Sequence, residues 1–133
     1  MFNICKRTTY DGHFGGVVAM TTRDFAAVNG YSNCFWGWGA EDDDLYLRVT
    51  SHNFTVTRPK PMKRGRYTCL SHREAKPNPD RVRVLRSSAE RRSIDGLVNL
   101  RYHTLSFQLA QLYTNILVDL SPLKNASLID NYL

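Results

Sequence analysis

Two tryptophans set between glycines run directly into four consecutive carboxylates at residues 35–44, FWGWGAEDDD. An indole is a flat apolar face with one N–H donor, suited to stacking on a sugar ring or a base. Gly37 and Gly39 let the backbone come close to a ligand. Four adjacent acids repel one another, so packing alone does not select them. The combination points to a site that binds a polar ligand and takes a proton from it. The acids also precede Leu45, Leu47 and Val49, and carboxylates favour the first turn of a helix through its dipole. Both readings hold together if a helix begins near Asp42 with the acid cluster at its mouth.

The elements that position this run are legible from periodicity and punctuation. Residues 14–20, FGGVVAM, read as a buried strand with a glycine pair at its start. Thr22 is placed to cap a helix over residues 23–28, which Asn29-Gly30 ends. Residues 31–40 form an aromatic loop, and a helix spans residues 42–51. The alternating residues 54–58 read as a strand broken by Pro59 and Pro61, and residues 66–70 as another. Residues 75–83 are a proline-interrupted basic loop of the kind that acts as a lid. Ser87 caps a helix through Arg92, and residues 102–105 and 113–119 read as two antiparallel strands. The mix is α/β. Residues 1–120 form one domain, with a poorly ordered tail at 121–133.

A chain of 133 residues that is 42% hydrophobic is a globular domain or a piece of one. Its net charge of +6 comes mainly from residues 58–66 and 73–92. Those runs lack interleaved aromatics, so a solvated face or a mobile loop over a diphosphate is expected, and no nucleic-acid partner. No stretch has the roughly 20 apolar residues of a membrane span, and residues 1–14 carry no apolar signal segment. Cys5, Cys34 and Cys69 have no C-x-x-C spacing and leave the redox compartment open. Asn53-Phe-Thr55 and Asn125-Ala-Ser127 fit the N-glycosylation pattern, a weak pointer to a lumenal setting.

At FGGVVAM, NGY, FWGWGAEDDD, the Cys69–His72 pair, KPNPDR and IDGLVNLRYH, the chain resembles the beta-1,4-galactosyltransferase family. The likeness runs over about residues 10–120 in that family's order and corresponds to the C-terminal half of its catalytic domain. It implies the C-terminal portion of a GT-A (Rossmann-like) glycosyltransferase fold. It also implies an inverting hexosyltransferase that moves galactose from UDP-galactose to a terminal sugar acceptor such as N-acetylglucosamine. A divalent metal, manganese, would assist. Such enzymes are Golgi membrane proteins with a lumenal catalytic domain, and the anchor and nucleotide-binding half would precede Met1.

The resemblance also implies roles. Asp42 is the base, and Glu41 and Asp43 hold sugar hydroxyls, Asp43 on the acceptor side. Trp38 contacts donor and acceptor, whereas Trp36 is expected to pack in the core and Asp44 to cap the helix. Gly15 and Gly16 lie near the donor sugar, or simply turn into a strand. His13 stands where the family usually has tyrosine, which leaves the choice between galactose and N-acetylgalactosamine open. Tyr10, Ala40, Arg81, Val82 and Leu85 contribute to the acceptor site, with Ala40 in place of the usual glycine and Val82 in place of an aromatic. Arg81, Val82 and Leu85 equally suit a plain apolar-basic turn. His72 matches a metal ligand and Cys69 the usual methionine ligand. A thiolate there suits zinc better than manganese. The rival functions are a UDP-N-acetylgalactosamine-using or chondroitin-type transferase, and a non-catalytic carbohydrate-binding fragment. His52 and His103 have no expected role.

Overall fold

A computed structural model describes residues 3–4, 10–65, 68–69, 73 and 75–120. A short pair, β1 (Asn3–Ile4) with β2 (Thr68–Cys69), is antiparallel and joins distant parts of the chain. Helix α1 (Thr22–Ala27) is capped by Thr21, one residue earlier than expected: its side chain accepts the Asp24 N–H at 3.0 Å. Asn29 and Gly30, both at φ 62°, then end the helix as the sequence suggests.

Helix α2 (Glu41–Ser51) buries Asp44, Leu45, Arg48 and Val49. These residues are spaced i, i+1, i+4 and i+5, so one face is half apolar and half charged. Its apolar part meets Phe14 and Val28, and Val18, Met20, Tyr46, Phe54 and Val56 pack around them. Full burial of side chains such as Leu45 and Val28, each 1% exposed, stabilises by about 1.5–3 kcal/mol apiece.

Residues 14–20 and 54–58 were expected as strands, and neither is one. Both run as irregular chain against this core, with Val17 exposed between Val18 and Phe14. The alternation at Phe54 and Val56 is present as burial, but a strand also needs a partner to pair its backbone. The lid region is likewise partly helical: α3 (Arg81–Arg86) and α4 (Ser88–Arg91) follow one another, and α4 is shorter than the helix expected through Arg92. The strands β3 (His103–Leu109) and β4 (Thr114–Asp119) form the expected antiparallel hairpin, with Phe107 opposite Ile116 and a register shift between Thr104 and Ser106. The tail at 121–133 and Asn125 lie outside the described residues. Asn53 is exposed in a turn after α2, at φ 60°. Among the described residues no helix is long and apolar enough to cross a membrane.

Cys34 is buried and its thiol is free. Burial pushes its pKa up, the Asp95 charge adds to this, and Arg91 opposes it. A thiol whose folded pKa is raised resists ionisation, so its effect is silent below the unfolded value of about 8.5 and stability falls as pH rises beyond that. Denaturation midpoints measured from pH 7 upward should therefore decline above that value less steeply in Cys34→Val. An unchanged slope would contradict burial of the thiol.

Candidate active site

The acid run enters α2 through a left-handed residue. Ala40 sits at φ 73°, where a glycine would be unstrained, and no side chain caps the helix. Two of the carboxylates bond to the backbone at this entry: Oδ1 of Asp42 accepts the Asp43 N–H of the first helical turn at 3.1 Å, and Oε2 of Glu41 accepts the N–H of Gly39, just ahead of the helix, at 3.1 Å. Relief of the turn makes Ala40→Gly a stabilising change of about 0.5–1 kcal/mol. The urea midpoint should rise accordingly, and a lower midpoint would show that the methyl packs usefully.

The fold gives the four acids four different surroundings. Asp43 accepts a short hydrogen bond from the Tyr10 hydroxyl. That bond, with burial and the charges of Asp43 and Asp42, drives the Tyr10 pKa far above its ordinary value, so the phenol stays a donor. Glu41 is turned back onto the Gly39 backbone. Asp44 is not the expected cap: it is fully buried and pairs with Nε of Arg48 at 2.6 Å. Asp42 is half-buried, and no hydrogen bond among the described residues reaches its Oδ2. That oxygen lies against the backbone of Gly15, where an added Cβ would collide with it.

Around these acids the expected residues gather in two groups. Tyr10 meets the His13 ring edge-on at 5.1 Å, Arg58 donates to the His13 carbonyl at 2.7 Å, and Gly15 bears on Asp42. Gly16 has open space where a Cβ would stand, and its φ of 94°, not crowding, calls for glycine. The second group is Trp38, Gly39, Glu41 and Arg81: the Arg81 side chain covers Gly39, leaving only 2.7 Å to a Cβ built there. Trp38 is 54% exposed, whereas Trp36 is half-buried. Val82 is exposed and Leu85 half-buried on α3.

Three features went unnoticed in the sequence. Asn78 clasps the tryptophan loop: its side chain donates to the Trp36 carbonyl at 2.6 Å, and its N–H to that of Trp38 at 3.0 Å. Its own carbonyl accepts Nη1 of Arg81 at 2.9 Å, so the clasp joins loop to helix. Tyr31 lies near the acids, its pKa raised first by burial and then by Asp42 and Glu41. Beneath the site, Arg48 reaches from Asp44 to the Asp95 carbonyl at 2.6 Å, and Arg91 pairs with Asp95 at 2.5 Å. Ser32 and the Asn33 N–H complete the bonds to that carboxylate.

The expected metal ligands fall outside what the structure describes of the side chains. His72 lies outside the described residues, and of Cys69 only the backbone pairing with Asn3 is described. Among the described residues no three His, Cys, Asp or Glu side chains stand together as a metal site. His52, by contrast, is bound structurally, with Nδ1 2.8 Å from the Arg48 carbonyl and its ring stacked on Phe54.

A family described as the N-terminal domain of galactosyltransferase matches residues 3–73. Beta-1,4-galactosyltransferase 4 of Cricetulus griseus is 44% identical over 116 residues, covering 85% of this chain and 33% of the relative. Beta-1,4-galactosyltransferase 6 of Rattus norvegicus is 46% identical over 115 residues, covering 85% of this chain and 30% of its own length. The chain thus spans about a third of the length of these curated relatives. The crystal structure of the catalytic domain of Drosophila beta1,4galactosyltransferase 7 in complex with xylobiose superposes with a TM-score of 0.64 at 27% identity, over 83% of this chain and 51% of that one. The architecture is accordingly a portion of an α/β, GT-A-type catalytic domain.

Proposed function

The chain belongs to the beta-1,4-galactosyltransferase family, and on that premise we propose that it carries the base and the acceptor side of a galactosyltransferase site. The reaction joins an acceptor hydroxyl to the anomeric carbon of galactose as the bond to the UDP oxygen breaks, with inversion. The observation that carries the assignment is the sorting of the four acids, which leaves Oδ2 of Asp42 without a hydrogen bond among the described residues. A sugar hydroxyl is a poor nucleophile at neutral pH, and a placed carboxylate that takes its proton lowers the barrier. The Tyr10–Asp43 pair orients the acceptor, the exposed Trp38 face stacks on a sugar ring, and Arg81 borders the same loop. Val82 and Leu85 belong to the wall of the acceptor pocket, and His13, Gly15 and Gly16 to the donor side.

The acceptor is a glycan such as N-acetylglucosamine and the donor a UDP-sugar. A divalent metal, manganese by family habit, would neutralise the leaving diphosphate. His72 and Cys69 are its proposed ligands in this chain. A Golgi lumenal location with an anchor outside this chain rests on family membership alone. The order of motifs supports placement in the C-terminal half of the catalytic domain.

A second reading, a carbohydrate-binding unit without turnover, draws on the exposed Trp38 and the Tyr10–Asp43 pair, which can hold a sugar whether or not Asp42 takes a proton. Titrating N-acetylglucosamine while following tryptophan fluorescence, then assaying transfer with UDP-galactose, UDP-N-acetylgalactosamine and manganese, separates the two. Transfer supports the enzyme and identifies its donor, binding without transfer supports the second reading, and absence of binding overturns both.

A further inference from the structure

Asn78 stands between two prolines in the run Lys76-Pro-Asn-Pro-Asp80. Proline has no N–H, so Asn78 supplies the one backbone donor of residues 77–79. Pro79 also pushes the residue before it into extended backbone, which suits the isolated parallel bridge between Pro77 and Trp38. Pro77, Pro79 and Asp80 are exposed, whereas Asn78 is half-buried. Its Cβ lies 3.7 Å from the place a Cβ would take on Gly37, so it sits beside the residue that separates the two tryptophans.

Every polar group of Asn78 is used, and they divide between two segments. Its N–H donates to the Trp38 carbonyl at 3.0 Å and its Nδ2 to the Trp36 carbonyl at 2.6 Å, which holds the tryptophan loop. Its Oδ1 accepts the Asp80 N–H at 2.9 Å, and its carbonyl accepts the Arg81 N–H at 3.3 Å and Arg81 Nη1 at 2.9 Å. Those three bonds turn the chain into α3 and pin the Arg81 side chain. Arg81 in turn lies over Gly39, next to Trp38. No hydrogen bond runs from Asn78 to Asp42 or Asp43 among the described residues. The contacts of Asn78 therefore bear on Trp38 and Arg81 and leave the proposed base alone.

We propose that Asn78 is a positioning residue for the sugar acceptor: by bonding to the Trp36 and Trp38 carbonyls and to Arg81 at once, it presents Trp38 and Arg81 as one preformed wall. The proposal rests on the acceptor side described under the proposed function and adds the residue that sets the spacing within it. A wall formed beforehand spares the ligand the ordering of a loop and a long side chain, so its loss falls on acceptor affinity. Proton transfer at Asp42 is untouched by it.

The test is Asn78→Asp in the 133-residue chain. Aspartate keeps the size of the side chain and the oxygen that accepts the Asp80 N–H, and sets a second oxygen against the Trp36 carbonyl where a donor stood. N-acetylglucosamine binding, followed by tryptophan fluorescence, is expected to weaken about tenfold with circular dichroism unchanged, the effect of one missing donor at a part-buried carbonyl. Acrylamide quenching is read in a Trp36→Phe background, where Trp38 is the sole indole, and is expected to increase. Where transfer is measured, the change falls on the KM for acceptor and not on kcat. A residue that only stabilised the fold would lower the urea midpoint and move neither binding nor quenching. Asn78→Ser removes the long donor without adding a charge, and is read in the same way if the aspartate variant does not fold. Native binding or native quenching in a folded variant overturns the proposal, and so does a fall in kcat at unchanged KM. If the unaltered chain binds no sugar, the acceptor reading itself fails, and increased quenching then leaves Asn78 as a clasp of the fold alone.

Discussion

Asp42→Asn is expected to remove galactosyl transfer while sparing acceptor binding. Asparagine keeps the size of the side chain and the oxygen that accepts the Asp43 N–H, so the entry to α2 is unchanged. It cannot take a proton, and a positioned general base contributes about 10²–10⁴-fold. The loss should fall on kcat, with the KM for acceptor altered little, because the interaction removed is made in the transition state. Gly15→Ala is the companion measurement. Its methyl would occupy the place of Oδ2 of Asp42 and push the carboxylate aside, so kcat should fall although glycine has nothing to titrate. If Asp42→Asn transfers sugar at the native rate, Asp42 is not the base. If only Gly15→Ala is normal, the carboxylate works from another rotamer.

Arg48→Met is expected to cost about 3–5 kcal/mol, the usual penalty for stranding buried charges. The Asp44 and Arg48 side chains have no exposure, and Oδ1 of Asp44 already lacks a partner among the described residues. Removing the guanidinium leaves that carboxylate with none and takes from Asp95 one of its two arginines. A domain of this size holds only about 5–15 kcal/mol in total, so the urea midpoint should fall by a large fraction. The exposed pair Arg83–Asp80 is the control: at 3.1 Å with both side chains more than half exposed, Arg83→Met should cost under about 1 kcal/mol. Equal effects at the two positions would mean that the Arg48 network is not buried in solution.

The same network explains how the proposed base is held in place. Asp44 lies two residues beyond Asp42 on one helix, and its tie through Arg48 and Asp95 to Arg91 fixes that helix against α4. Above it, Asn78 fixes the tryptophan loop to α3. The tryptophan loop and the acid run thus stand on two supports built from polar contacts between segments far apart in the chain.

Local chemistry made part of this readable from the amino-acid order. Residues 42–51 declare a helix through the acids ahead of Leu45, Leu47 and Val49, and the structure starts it one residue earlier at Glu41; Asn29-Gly30 declares a stop, and the alternating end declares a hairpin. The tryptophan–acid run declares a site that binds a polar ligand and takes a proton from it, and sugar transfer enters only with the resemblance of the whole series of motifs. Nothing local distinguishes Asp42 from Asp44, however: one turns to the site and the other to the core, and only burial against Arg48 and Asp95, 47 residues from Arg48, tells them apart. The basic run at 81–92 divides in the same way, with Arg81 over Gly39, Arg83 in solvent and Arg91 buried on Asp95. Residues 14–20 and 54–58 have the alternation or apolarity of strands and lack partners to make them so. Composition and short-range spacing therefore determined the chemistry and the main helix by themselves, since both depend on near neighbours. The role of each charge was decided by the tertiary structure, because a carboxylate's environment is set by groups that only folding brings within a few ångströms.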